Sequence, residues 1–263
     1  MSNAMTTGCP SSRVRLGGFT LIELLVVITV LTLLMSILLP SLQKAKDRAK
    51  LLVCASNLHS VGLAIHTYAI DYNDSIPFGP EGRPVTATNF YTVTGNVTSL
   101  LSLEDDGEPV GLGLLLEGYL SDKPEVLFCP GSDQRTNAKE QLALVGNDQA
   151  QCDYYYRHAS VAQISGEPDT LHIKLSDLGR NRNRGIISAL VMDRQFLIEP
   201  AFATLGILPQ TNHRQQSVNI LLADNQVIRQ DNSQNKFTVD VGWFPHEALD
   251  MILQAFEKAD ELR

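Results

Sequence analysis

Basic residues are scarce along most of this chain. Its 263 residues include 21 Lys or Arg against 29 Asp or Glu, a formal net charge of -8. Beyond residue 50 the deficit sharpens to 15 basic against 27 acidic side chains. So acidic a body lacks the face that displaces counterions from a phosphate backbone, and no nucleic-acid partner is expected. Metal-ligand spacing is missing as well. The four Cys and six His form neither Cys-x2-Cys nor His-x3-His, so no zinc site is expected. No Gly-x-Ser-x-Gly elbow, P-loop or Gly-x-Gly-x-x-Gly fingerprint occurs. Asp193 and Asp224 are candidate partners for His213, but no spacing demands a catalytic pair, and the chain does not read as an enzyme. Long apolar runs are rare too: there is one, from Phe19 to Leu39.

That run holds 21 residues, and its only charge is Glu23. At about 1.5 Å per residue it covers roughly 30 Å, the thickness of a bilayer's hydrocarbon core. A cleaved secretory signal would have a shorter apolar core followed by a small-residue cleavage site. Here the run passes directly into Pro40-Ser-Leu-Gln-Lys-Ala-Lys46, so an uncleaved spanning helix is the better reading. Met1-Ser-Asn-Ala4 reads as an expression-tag remnant, because a second Met follows at Met5. An ionised carboxylate in hydrocarbon costs several kcal/mol unless paired, which marks Glu23 as a candidate functional residue.

The segment Arg15-Leu-Gly-Gly18-Phe19-Thr-Leu-Ile-Glu23-Leu-Leu-Val-Val27 resembles the N-terminal motif of type IV prepilins and type II secretion pseudopilins. The resemblance implies that a membrane-embedded prepilin peptidase cuts between Gly18 and Phe19 and methylates the new amine. It implies a leader over residues 5–18, a membrane or filament-core helix over 19–39, and a helix-bending Pro40. Cleavage would free an α-amino group on Phe19, and Glu23 of a neighbouring subunit is its expected partner in a filament core. The family's partners follow: other pilin or pseudopilin subunits, an inner-membrane assembly platform with its ATPase, and membrane lipid. The implied location is a single-pass inner membrane protein with its head outside the cytoplasm. The charges flanking the run disagree, since Lys44, Lys46, Arg48 and Lys50 outnumber Arg13 and Arg15. The motif takes precedence over that count.

Beyond Pro40, apolar residues recur at spacings of three and four: Leu51, Cys54, Leu58, Val61, Ile65, Tyr68 and Tyr72. This is one face of an amphipathic stalk helix over 40–72, ended by Asp71–Ser75 and Pro77. Residues 73–263 form the expected head, with residues 73–115 read as a long loop region with short elements. Strands are expected at 153–156, 185–192 and 217–223, and a further strand at 226–230 after a two-residue Asp224-Asn225 hairpin. Leu249, Ile252, Phe256 and Ala259 mark a closing amphipathic helix, with Pro245 suited to its first turn. The fold class is therefore α+β and pilin-like, a long N-terminal helix on a mostly antiparallel sheet.

Cys54-Ala-Ser-Asn57-Leu58, Phe128-Cys129-Pro130 and His213 leading to Asp224 together resemble the planctomycete-type pilin-like family, which carries a His-x9-Asp-Gly signature. Here ten residues separate His213 from Asp224, and Asn225 stands in place of Gly; a β-bulge would absorb the extra residue. No chemistry travels with that signature. Cys9 lies in the expected leader, leaving Cys54, Cys129 and Cys152 in a head exposed to an oxidising compartment. Cys54–Cys129 is the favoured bridge, with Cys129–Cys152 as the alternative. Glu104, Asp105, Asp106 and Glu108 are the candidate calcium ligands, against the simpler reading of a solvated acidic loop. Otherwise no cofactor is expected.

Overall fold

The computed structural model describes residues 20–79, 98–103, 107–133, 137–158, 173–205, 208–244 and 247–262. The leader with Gly18 and Phe19, the acids 104–106, Pro245, His172 and His246 lie outside the described residues. The chain divides into two compact units, residues 1–46 and 47–263.

Helix α1, Leu21–Asp71, contributes to both units. It continues through Pro40, whose missing N–H leaves the Ser36 carbonyl without its usual helical donor. In the first unit every side chain from Thr20 to Lys46 is exposed, although nearly all of residues 21–39 are apolar. This helix is long and apolar enough to cross a membrane.

In the second unit α1 is amphipathic. Of the face read from the sequence, Cys54, Leu58, Val61 and Ile65 are buried, Leu51 and Tyr68 are half-buried and Tyr72 is exposed; Gly62, Ala64 and Ala69 complete the buried face. The remaining elements follow in order: β1 Leu100–Ser102, α2 Ala138–Leu144, β2 Ala150–Gln151, β3 Tyr154–Tyr156 and β4 Ala189–Asp193. Then come β5 Gln195–Leu197, β6 Gln210–Thr211, β7 Ser217–Leu222, β8 Val227–Asp231, β9 Val239–Asp240 and α3 Ala248–Asp260.

The central sheet has the order β3-β4-β7-β8 and is antiparallel throughout. A second sheet, β6-β5-β9, contains a parallel pair between β5 and β9. The head is thus α+β and mostly antiparallel. Strand alternation divides the core. Tyr154, Tyr156, Val191 and Leu221 join the cluster that includes Cys54, Leu58, Val61 and Ile65 of α1. Tyr155, Met192, Val218, Ile220 and Leu222 join the cluster built with Ile252, Ala255, Phe256 and Ala259 of α3. A central strand of a sheet covered on both faces is buried at every position, and β4 is buried at each of its five residues, four of them apolar and the last Asp193.

Three details depart from the sequence expectation. Residues 185–188 precede β4 as irregular chain, because Ser188 and Ala189 spend their N–H groups on the Asp260 carboxylate. The β7–β8 connection spans three residues, Ala223-Asp224-Asn225: Asn225 N donates to Leu222 O, Leu222 N donates to Gln226 O, and Asn225 takes φ 64°. A three-residue loop of this kind closes with a left-handed residue, a position Asn accepts. The bulge falls in β4, between Ala189 and Val191, while β7 and β8 pair without a slip.

Candidate functional site

The first candidate lies at the start of α1. The Thr20 hydroxyl accepts from Glu23 N at 3.2 Å. In return, Thr20 N and Thr20 Oγ1 donate to Glu23 Oε2 at 2.9 and 2.8 Å. This reciprocal capping box satisfies donors that a helix start leaves open. Glu23 therefore has a local role within its own subunit. Its carboxylate also lies where a negative charge complements the positive end of the helix dipole.

The second candidate is buried in the head. Cys54 of α1 is bonded to Cys129, with Cα atoms 5.4 Å apart and a sequence separation of 75. Closing a loop of that length restricts the unfolded chain, by about 4.5 kcal/mol in the chain-entropy account. The neighbouring contact of Asn57 Nδ2 with Phe128 O, 3.2 Å, ties the same helix to the same loop. Cys152 is free and buried, and burial pushes its thiol up to about 12.

Two polar side chains meet at the bridge. His213 Nε2 lies 3.3 Å from Cys129 Sγ and 3.4 Å from Asp193 Oδ2. The His213 and Asp193 side chains are 3 % and 0 % exposed, so this pair is sealed from water. Asp193 Oδ2 also accepts from Asn219 N at 2.7 Å and Asn219 Nδ2 at 3.0 Å, and Asn212 Nδ2 lies 3.4 Å from Oδ1. Such donors offset the cost of a buried carboxylate.

The backbone is bent to bring the imidazole there. His213, Arg214 and Gln215 have φ 54°, 53° and 60°, three successive non-glycine residues in the left-handed region. Each costs roughly 1–2 kcal/mol, so the surroundings must enforce the turn. They do. His213 N donates to Gly131 O at 2.8 Å, Arg214 N to Asp133 Oδ2 at 2.9 Å, and Asn212 Nδ2 to Asp153 O at 2.8 Å. Gly131 makes room for the ring, since an added Cβ would fall 2.3 Å from His213 Nδ1. On the solvent side, Cys129 lines an open cleft of about 530 Å³ together with Val53, Lys123, Glu125, Ser132 and Asp153.

The profile of the prokaryotic N-terminal methylation motif matches residues 15–39. The chain is type IV pilin-like at its N-terminus. This match supports a pilin- or pseudopilin-type subunit, membrane-anchored through its apolar helix, with processing by a prepilin peptidase and assembly with other pilin subunits. No curated protein and no solved structure matches the chain. The match ends at residue 39, and the planctomycete-type signature read at His213 and Asp224 is not confirmed.

The structure separates the two ends of that signature. His213 sits at the bridge, whereas Asp224 and Asn225 form the β7–β8 turn, where Asp224 Oδ1 accepts from Gln226 N at 3.1 Å. Of the two acids weighed as partners for His213, Asp193 is the one in reach. Of the calcium candidates, Glu108 alone is described; its carbonyl accepts from Leu103 N at 3.0 Å. The grouping of Cys54, Cys129, Asp193 and His213 had no signal in local spacing, because the four residues come from distant segments.

Proposed function

We propose that this chain is a pseudopilin of a type II secretion-like pseudopilus. The observation that supports it most is the motif match over residues 15–39, which runs into a helix whose apolar side chains from Leu21 to Leu39 are all exposed. In this reading the peptidase cuts between Gly18 and Phe19 and methylates Phe19. Gly18 suits the cut because an extended backbone without a side chain approaches an active site closely. The helix then leaves the inner membrane and polymerises, driven by an assembly platform and its ATPase, with the head outside the cytoplasm. Glu23 takes the Phe19 ammonium of the adjacent subunit. Each charge would otherwise be stranded among apolar side chains, so pairing penalises a wrong register. The work is mechanical rather than catalytic. A type IV pilus subunit would use the same helix and the same pairing.

The test couples processing to assembly. The full chain is co-produced with a prepilin peptidase, and the mature N-terminus is read by mass spectrometry. An N-methylated Phe19 terminus is expected, along with crosslinked oligomers that Glu23→Leu reduces at least about tenfold. A mature chain starting elsewhere would remove the processing claim. Wild-type assembly by Glu23→Leu would remove the pairing claim.

A further inference from the structure

The cluster around the bridge has the composition and the dimensions of a metal site. Cys54 Sγ, Cys129 Sγ, His213 Nε2 and an Asp193 carboxylate oxygen all lie within 4.8 Å of one another, and all four residues are buried. Zinc holds sulfur at about 2.3 Å and nitrogen or oxygen at about 2.0–2.2 Å, so neighbouring ligands of a tetrahedral ion stand roughly 3.3–3.8 Å apart. The Cys129–His213 and His213–Asp193 separations of 3.3 and 3.4 Å already meet that spacing. The two sulfurs, bonded to each other here, would have to part, and the remaining pairs start within 4.8 Å of one another. We infer that the head with Cys54 and Cys129 reduced binds one zinc ion through Cys54, Cys129, His213 and Asp193.

The surroundings are those of a metal site with its outer contacts in place. The Asn219 N and Nδ2 groups fix the Asp193 carboxylate, and Gly131 N lies 3.3 Å from Cys129 Sγ. Such contacts orient ligands and moderate their charge. Two thiolates, one carboxylate and a neutral imidazole would leave the occupied site with a single net negative charge, partly offset by these donors. His213 is presented by three left-handed residues and needs the space that Gly131 leaves open. A backbone strained to aim one imidazole at two cysteines and a carboxylate is readily explained by a ligand at their centre. The cleft reaches one of the four ligands, Cys129, which is the side from which an ion would enter.

The chemistry balances. Opening the bridge takes two electrons and two protons. Two reductant thiols supply both and leave as a disulfide, or a phosphine supplies the electrons and takes the oxygen of a water whose two protons pass to the sulfurs. Either way two cysteine thiols remain. As zinc binds, each thiol gives its proton to solvent, so two protons leave for each ion bound. The bridged and metal-bound states are mutually exclusive, since both use the same two sulfurs. This inference stands apart from the fate of the N-terminal helix.

The experiment uses the full chain in detergent micelles, reduced anaerobically with a phosphine and titrated with cobalt(II) as a spectroscopic stand-in for zinc, then with zinc itself. About one equivalent of cobalt should give thiolate-to-metal charge-transfer absorption and intense tetrahedral ligand-field bands, both erased by zinc. His213→Gln and Asp193→Asn should each weaken binding at least about tenfold, and Cys152→Ser should leave it unchanged. Because variants at buried positions can fail to fold, the wild-type chain carries a second readout. Zinc should slow alkylation of both Cys54 and Cys129, mapped by mass spectrometry. Absence of tetrahedral thiolate bands in the reduced wild-type chain would overturn the inference. So would undiminished binding by His213→Gln, or loss of binding on Cys152→Ser.

Discussion

At Gly62 a side chain would have nowhere to go. An added Cβ would lie 2.0 Å from Asn225 Oδ1 and 2.9 Å from Leu221 Cδ1. The β7–β8 turn comes this close because α1 holds it at two other points: His59 Nδ1 lies 3.2 Å from Asn225 O, and His66 Nε2 lies 2.9 Å from Ala223 O. Gly62→Ala should therefore destabilise the head by roughly 1–3 kcal/mol, the usual range for overpacking. Asn225→Gly removes the nearer obstacle and still accepts φ 64°. The double variant should recover part of the loss, with a coupling above about 0.5 kcal/mol in urea midpoints of the micelle-solubilised chain. Simple additivity of the two changes would show that Gly62 serves something other than this contact. Asn225 as a turn residue was legible in the sequence, because Asn is one of few residues that tolerate a left-handed backbone. His213 was not. Its neighbours Arg214 and Gln215 carry no turn preference, and tertiary hydrogen bonds to Asp133 and Asn232 help hold them in that conformation.

Among the elements, α3 owes its position to a polar anchor as well as to its apolar stripe. Asp260, at its last turn, accepts from Arg157 Nη1 at 2.8 Å, Asn181 Nδ2 at 3.0 Å, Ser188 N at 2.9 Å and Ala189 N at 3.0 Å. The Arg157 and Asp260 side chains are 3 % and 2 % exposed, and Arg157 also lies over the Phe256 ring, 5.4 Å from its centroid. Removing one charge leaves the other buried and alone, so Asp260→Asn should cost about 3–5 kcal/mol. The measurement is the thermal midpoint of the full chain in micelles. A shift of a degree or less would mean that Arg157 finds another partner. The stripe of α3 was readable, since Ile252, Phe256 and Ala259 repeat at helical spacing and are buried. The anchor was not readable, because its partners come from two other parts of the chain. Strands β1, β2, β5, β6 and β9 escaped for a different reason. Two or three residues cannot display a period of two, so only pairing defines them.

For the whole molecule, the anchor and the amphipathic half of α1 were legible because each is a long pattern within one continuous segment. The buried cluster joins residues 54, 129, 193 and 213, and sequence spacing carries no information about such a meeting. A run of four titratable groups in the head has a consequence for stability against pH. Cys152, Tyr154, Tyr155 and Tyr156 are each 1 % exposed or less. Burial pushes the Cys152 thiol up to about 12 and raises all three tyrosines above their ordinary value. In the unfolded chain a Cys thiol loses its proton near pH 8.5 and a Tyr near pH 10. The folded head keeps these protons at higher pH, so above those values the native state binds more protons than the unfolded one and stability falls as pH rises. Each group contributes a slope of about 1.4 kcal/mol per pH unit while its two states differ by one proton. Urea midpoints should therefore show no contribution from these groups below about pH 8, then decline gently and steepen above about pH 10. Cys152→Ser should remove the early, gentle part and leave the tyrosine part unchanged. Were the wild-type midpoint constant up to about pH 11, these four groups would have to titrate in the folded head much as they do in water.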